Sequence, residues 1–589
     1  MLCTRGWSFP SVMKRGCPGP PKRNDKLLMQ SQHEKYNFPL SHNFQHHNFD
    51  VYYSAGATTN FRSFVGVVKF PMNKPKTTNY ESIPTYPPRP NFKDFKNILK
   101  PDSQVVVFDG CPDDPYKPSS TPLYQTATFK APTADSFGEY DYTRSGNPTR
   151  TALEKHAALL EKATATFAFT SGMAALAQVV RLVGKDGVIF CGNDIYGGMY
   201  RYLTKMSFCA ELHFIPTYNV EAVRKAIGEA RTRLVDLENE KSKQKILLHL
   251  ESPSNPLLKI SDIKAIAEIC EQNNVLLSVD CTAMGPLLCK PIDLGADLVV
   301  HSATKWLGGH SDTMGGLLSV KCPELAQAVA YNQNAEGTAL APFDCWLLLR
   351  GIKTLAIRQK KAQENARQVA AFLLRHKKVL KLYWTERIDT DEEPQELHSI
   401  AEQMLTEEEE QIHRKQTTPG ACGCLISFTT DDAEFSKRLL DSLRLFKISV
   451  SFGSVHSVCE MPVSMSHASL PNEVKGANAA DAAKKEKSAE DDADVDPLPP
   501  DLVRLSIGIE DVEDLIGDLH QAFKAAEILV ENNVKQFYQG PRQEKRLEQI
   551  GKGNLPELFA EADPEENLLF DSKFEDLEVT PRMMEKEDK

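Results

Sequence analysis

Residues 275–312 read VLLSVDCTAMGPLLCKPIDLGADLVVHSATKWLGGHSD. Two short apolar runs, VLLSVD and DLVVHS, each close on polar residues, which is the signature of buried strands whose ends open onto a crevice. Working outward, GVIFC (187–191), KILLHLE (245–251) and GGLLSV (315–320) repeat the pattern. Between them lie helix-like stretches such as ISDIKAIAEICEQN (260–273), where Ile263, Ile266, Ala267 and Cys270 share one face behind Ser261 or Asp262 as N-cap. From about Gln104 to Lys321 this alternation predicts an α/β domain: a mostly parallel sheet with helices on both faces.

A long helical stretch, DCWLLLRGIKTLAIRQKKAQENARQVAAFLLRH (344–376), leads into a second, smaller α+β domain. The expected division is a leader over 1–103, an N-terminal arm over 104–160, a large domain over 161–345, a C-terminal domain over 346–530 and an acidic tail over 531–589. Two acidic stretches, 386–418 and 472–500, read as solvated surface insertions.

The 589 residues carry a net charge of -11, but the first 100 hold 15 Lys and Arg against 5 Asp and Glu. Arg5, Lys14, Arg15, Lys22 and Arg23 precede any acid, as in an acid-poor organellar transit segment or a plain basic tail. No apolar signal core or membrane-length apolar run follows, which disfavours secretion and an integral-membrane protein. Thirteen cysteines without a CxxC pair argue against a zinc ribbon or disulfide framework and read as reduced, intracellular thiols. The pair His46-His47 lacks partners at ligand spacing, so no metal site is expected.

Lys305 sits between hydroxyls and glycines just past a strand end, where desolvation lowers an amine's pKa and makes it a nucleophile toward an aldehyde. Taken alone, the run also fits an ordinary loop lysine. Asp280 closes the preceding strand, either as a helix N-cap or as the carboxylate that keeps a pyridine nitrogen protonated. Lysine and aspartate at successive strand ends are the pair that pyridoxal phosphate chemistry requires. A phosphate site is available in FTSGMAA (169–175), a small-residue turn opening a helix. Tyr196 follows GVIFC and is either a ring that stacks on the pyridine or a half-buried loop tyrosine.

These motifs resemble the Cys/Met-metabolism family of pyridoxal-phosphate (PLP) enzymes, which includes cystathionine β-lyase, γ-lyase and γ-synthase. The resemblance covers about 104–384, 419–471 and 501–525, through YDYTRSGNPTR (140–150), ESPSNP (251–256), HSATKWLGGHSD (301–312) and LVRLSIGIEDVEDLI (502–516). QNAEGTALAPFDCWLLLRGIKT (333–354) and SFGSVHSVCEMPVSMSHASLP (451–471) most resemble the plant-type β-lyases.

The resemblance implies the fold-type I architecture of arm, large PLP domain and smaller C-terminal domain, and a homotetramer of tight dimers. It implies a small amino-acid thioether as substrate, with neither nucleic acid nor membrane as partner. Lys305 would hold the cofactor and take the substrate Cα proton, Asp280 would pair with the pyridine nitrogen, and Tyr196 would stack on the ring. Gly172 and Met173 amides with Ser302 and Thr304 hydroxyls would hold the phosphate, joined by Tyr142 and Arg144 from a second subunit. Arg504, assisted by Asn255 and Ser451, would clamp the substrate α-carboxylate. Two departures stand out: His456 occupies the position where γ-specific relatives carry glutamate, and Cys281 replaces a common asparagine, as a tolerated neighbour of the cofactor or a reactive thiol. The expected activity is β-elimination of cystathionine in methionine biosynthesis, with a γ-lyase, a γ-synthase or a non-catalytic interaction protein as the competing readings. A plastid or cytoplasmic location is expected.

Overall fold

The computed structural model describes residues 99–108, 110, 114–236, 245–388, 401–467 and 498–538, without the side chains of 234–236 and 529–538. All lie within the compact unit Ile98–Lys589. The basic leader as far as residue 98, His46-His47, residues 389–400 of the first acidic stretch and most of the second fall outside the described residues.

The first sheet has seven strands: β1 Ala165–Phe169, β2 Val188–Gly192, β3 Glu211–Ile215, β4 Ile246–Glu251, β5 Val275–Asp280, β6 Leu298–Ser302 and β7 Gly316–Val320, in the order β1-β7-β6-β5-β4-β2-β3. Strands β2 to β6 pair in parallel, and β7 runs antiparallel to both its neighbours. Alternation fixes the faces. Leu248, Leu250, Leu277 and Val279 point to one side, where Val223, Ile227, Ile263 and Ile266 of helices Val220–Asp236 and Ile263–Gln272 join the same buried cluster. His249, Glu251, Ser278 and Asp280 therefore face the other side. Of the two expected N-caps for Ile263–Gln272, Asp262 performs the role, its carboxylate accepting from the Ala265 amide at 2.9 Å.

The second sheet orders β11 Lys447–Ile448, β12 Val458–Glu460, β13 Val503–Ser506, β10 Leu425–Thr429, β8 Lys381–Tyr383 and β9 Glu402–Gln403, antiparallel at its centre and parallel at both edges. Ala168 and Leu317 of the first sheet share one buried apolar cluster with Ile426, Phe428, Val503 and Leu505 of the second. Burial of this kind contributes about 25 cal/mol per Å² of apolar surface, so the two sheets are joined by a common core.

Four expectations are corrected. The long helix is two helices, Pro342–Ile352 and Leu355–Leu374, parted at Lys353-Thr354; near the end of the first, Gly351 packs on the loop after Lys305, where a Cβ would lie 2.4 Å from the Gly308 carbonyl oxygen. The first acidic stretch is not wholly solvated. Glu407–Gln416 forms a helix under a Thr406/Glu409 capping box, with His413 and Gln416 buried and Gln416 Nε2 donating to the Ser261 carbonyl at 3.1 Å. A helix begins at Pro101, inside the expected leader, and the last helix, Val512–Tyr538, continues into the expected tail.

Candidate active site

Glu251, Asp280 and Ser302 are the last residues of β4, β5 and β6, so three polar side chains meet at the carboxyl ends of adjacent parallel strands. Asp280 Oδ1 accepts from both the amide (2.9 Å) and the hydroxyl (2.5 Å) of Thr282, and Thr282 Oγ1 accepts in turn from the Ser302 amide at 2.8 Å. Part of Asp280 thus braces a local turn. Among the described residues Oδ2 receives no hydrogen bond, which leaves it for a protonated nitrogen. Behind it, His249 Nδ1 lies 3.1 Å from Ser278 Oγ while Nε2 is buried without a partner. Burial pulls His249 down to about 4 against the pull of Asp280, so the imidazole is neutral.

Glu251 stands opposite Asp280 in register. Burial first, then Asp280, push its carboxyl well above the usual range, and the Tyr196 amide, donating to Oε1 at 2.8 Å, acts against them. That bond places Tyr196 at the start of helix Gly197–Lys205. Its ring lies over Gly198 beside Met173, since a Cβ at Gly198 would be 2.4 Å from Tyr196 Cε1 and 3.1 Å from Met173 Sδ. The ring keeps an open face, being 38% exposed.

The helix Gly172–Val183 opens beside Ser302, capped by Ser171 Oγ accepting from the Ala174 amide at 3.1 Å. A Cβ at Gly172 would lie 3.0 Å from Ser302 Oγ, so only glycine lets the helix N-terminus come this close to the hydroxyl. The amides of Gly172 and Met173, Ser302 and the helix dipole make an anion cradle. Thr304 Oγ1 faces the Gly315 backbone, donating to its carbonyl at 3.4 Å and accepting from its amide at 3.1 Å, and braces the loop.

Lys305 Nζ donates to Ser451 Oγ at 2.9 Å and sits 4.7 Å over the Phe452 ring. Burial, then the Arg504 charge, hold its ammonium down at about 8, with Glu460 acting against them. Arg504 is buried; Nη1 donates to Asn255 Oδ1 (2.7 Å) and pairs with Glu460 Oε1 (2.7 Å), and Nη2 donates to the Ser451 carbonyl (2.9 Å). Lys305, Ser451, Asn255 and Arg504, scattered over two hundred residues, therefore form one cluster.

Tyr142 and Arg144 do not join this cluster. Tyr142 is exposed, and Arg144 Nη1 donates to Asn334 O and Oδ1, both at 2.8 Å. His456 is exposed. Cys281 points away from the site and is fully buried, and its hydrogen bond with Cys289, followed by burial, pushes the thiol well up. The reactive-thiol expectation is corrected accordingly.

An aldehyde-reactive amine, a free carboxylate oxygen, an open tyrosine face and a glycine-lined anion cradle are the groups PLP needs, and they fit it. The chain matches the family model for Cys/Met metabolism PLP-dependent enzymes over residues 102–524. It belongs to that family.

The chain is similar to a chloroplastic cystathionine beta-lyase of Arabidopsis thaliana, 44% identical over 411 residues that cover 70% of this chain and 78% of the relative. A cystathionine beta-lyase of Schizosaccharomyces pombe is 39% identical over 72% of this chain and 96% of its own. The fold is similar to that of cystathionine gamma-lyase from Lactobacillus plantarum complexed with L-serine, at TM-score 0.61 and 32% identity, over 73% of this chain and all of that one. The enzyme is accordingly PLP-dependent, with a small amino acid as its class of substrate. Among the described residues no helix is long and apolar enough to cross a membrane.

Sequence reasoning had assigned no role to Glu251, His249, Phe452 or Glu460. For the first two a signal existed: alternation in KILLHLE puts His249 and Glu251 on one face. Phe452 and Glu460 are reached only through the packing of the second sheet.

Proposed function

We propose that the protein is a cystathionine β-lyase, converting L-cystathionine to homocysteine, pyruvate and ammonia. One observation carries the reading: Ser451 joins Lys305 and Arg504, its hydroxyl accepting from the lysine and its carbonyl from the arginine. An α-carboxylate on Arg504 brings the adjacent Cα–H toward Lys305, so base and anchor act on neighbouring atoms of one substrate.

When bound, PLP supplies the electron sink that makes the Cα proton acidic. Lys305, as the free amine, takes that proton; the electron pair forms a Cα–Cβ double bond, and the Cβ–S bond breaks. The thiolate gains a proton and leaves as homocysteine. The three-carbon enamine then takes up water to give pyruvate and ammonia. Asp280 would keep the ring nitrogen charged, Tyr196 would pack on the ring, and Gly172, Met173 and Ser302 would secure the phosphate end, with Thr304 bracing the loop beside them. Arg504 and Asn255 fix the carboxylate, and Ser451 spaces base from anchor.

Purified protein given L-cystathionine should form pyruvate and homocysteine in equal amounts; 2-oxobutyrate and cysteine would replace the reading with γ-elimination. The exposure of Tyr142 and Arg144 supports a homotetramer built from dimers in which they reach a second subunit's phosphate site. Mixed oligomers of Lys305→Ala and Arg144→Ala chains should regain activity that neither parent has, and failure to complement would refute sharing across subunits. The basic leader and the chloroplastic relative support a plastid location; a fluorescent fusion of the whole chain that stays in the cytosol would refute it.

A further inference from the structure

Arg504 carries five N–H donors. Both hydrogens of Nη1 are taken, by Asn255 Oδ1 and Glu460 Oε1, and one hydrogen of Nη2 by the Ser451 carbonyl. Nε is buried with no hydrogen-bond partner, and Nη2 keeps one hydrogen. In a guanidinium Nε–H and one Nη2–H lie along a common edge, in the geometry that grips a carboxylate with two parallel bonds.

The group that closes the opposite end is Glu460, whose side chain is fully buried and whose register partner across β12 and β13 is Arg504. Its Oε1 also accepts from Ser466 Oγ at 2.7 Å, while Oε2 has no partner. Burying a carboxylate is costly unless its charge is matched, and here the match is the same arginine that faces the substrate.

We infer that Glu460 is a positioning and affinity-setting residue for the α-carboxylate site. By holding Nη1 it leaves the Nε/Nη2 edge as the one receiving face. Its negative charge, a few ångströms behind that face, opposes the incoming carboxylate and keeps the site from retaining carboxylates that offer nothing else to bind. The site is thereby tuned to release the carboxylate products of its own reaction. This rests on Arg504 being the carboxylate receptor, and the test separates the two claims.

Propionate, which has the carboxylate and no amine, is titrated calorimetrically into the holoenzyme. Arg504→Gln should weaken its binding at least tenfold; unchanged binding would show that Arg504 is not the receptor, whatever Glu460 does. Glu460→Gln keeps an acceptor oxygen for Nη1 and removes the charge, so propionate should bind at least fivefold tighter, with KM for L-cystathionine falling in parallel and kcat falling as release slows. Glu460→Asp keeps the charge and should bind no tighter than the parent. A purely structural role predicts weaker or unchanged binding in both Glu460 variants, and that result, or the two variants moving together, overturns the inference. Glu460→Gln alone decides the sign if the aspartate variant fails to fold.

Discussion

Two cross-strand pairs face each other across the site, and they are electrically opposite. In the first sheet Glu251 lies in register with Asp280, two carboxylates side by side, and burial together with that proximity keeps Glu251 protonated to a higher pH than a free glutamate. In the second sheet Glu460 lies in register with Arg504, a carboxylate beside a cation. Like charges opposed on a sheet destabilise it and unlike charges support it. The first sheet therefore holds an unmatched site that a cationic ring nitrogen would relieve, while the second holds an anchor already matched within the protein. One side waits for its partner, and the other has been moderated in advance.

The largest effect falls on the residue between the two pairs. Lys305→Ala should lower β-elimination by roughly a thousandfold or more, the range for a positioned general base, and should abolish covalent retention of the cofactor; near-normal turnover would sink the scheme. On the second-sheet side, Arg504→Lys keeps the charge and loses the two-pronged edge. KM for L-cystathionine should rise by about 10–100-fold, the equivalent of losing hydrogen bonds to a charged group, with a smaller change in kcat; a variant losing kcat alone would show that Arg504 acts on chemistry.

A pH experiment probes the electrostatics between the sheets. The neutral amine is the form that captures an aldehyde, and Lys305 is held at about 8 where an ordinary lysine titrates at 10.5. Covalent capture of PLP by the apoenzyme should therefore speed up as pH rises and level off above about 8; a rate still climbing through pH 10 would contradict the desolvated, Arg504-facing environment. The smallest effect belongs to Thr282→Val, which cuts the link between Asp280 and Ser302. One hydrogen-bonded group contributes about 1 kcal/mol, so cofactor affinity should fall by about fivefold. No change on equilibrium dialysis would show that Asp280 needs no brace.

The first-sheet side of this comparison was readable because its chemistry sits at strand ends. VLLSVD and DLVVHS each announce both a strand and its exit, and Lys305 follows within three residues. The second-sheet side was not readable in the same way. Glu460 lies in VCE, three residues indistinguishable from an edge strand with a solvent-facing acid, and its role depends on an antiparallel register with a strand more than forty residues later. Phe452 is hidden for the same reason, its contact with Lys305 being one of tertiary packing alone. Glu407–Gln416 shows the opposite failure. Four consecutive glutamates read as a solvated run, whereas the helix carries a Thr406/Glu409 capping box and buries His413 and Gln416.

Arg358, in helix Leu355–Leu374, donates to the carbonyls of Trp306 and Gly351, both at 2.8 Å, and to Thr354 Oγ1 at 3.0 Å. Gly309 has φ +73° and a Cβ there would sit 2.1 Å from Arg358 Nη1, so the loop carrying Lys305 and this arginine occupy interlocking volumes. Recombining two such enzymes therefore has a hidden seam. A crossover placed between residues 309 and 358 inherits a loop from one parent and its socket from the other, and the chimera stands or falls on whether those halves were shaped for each other.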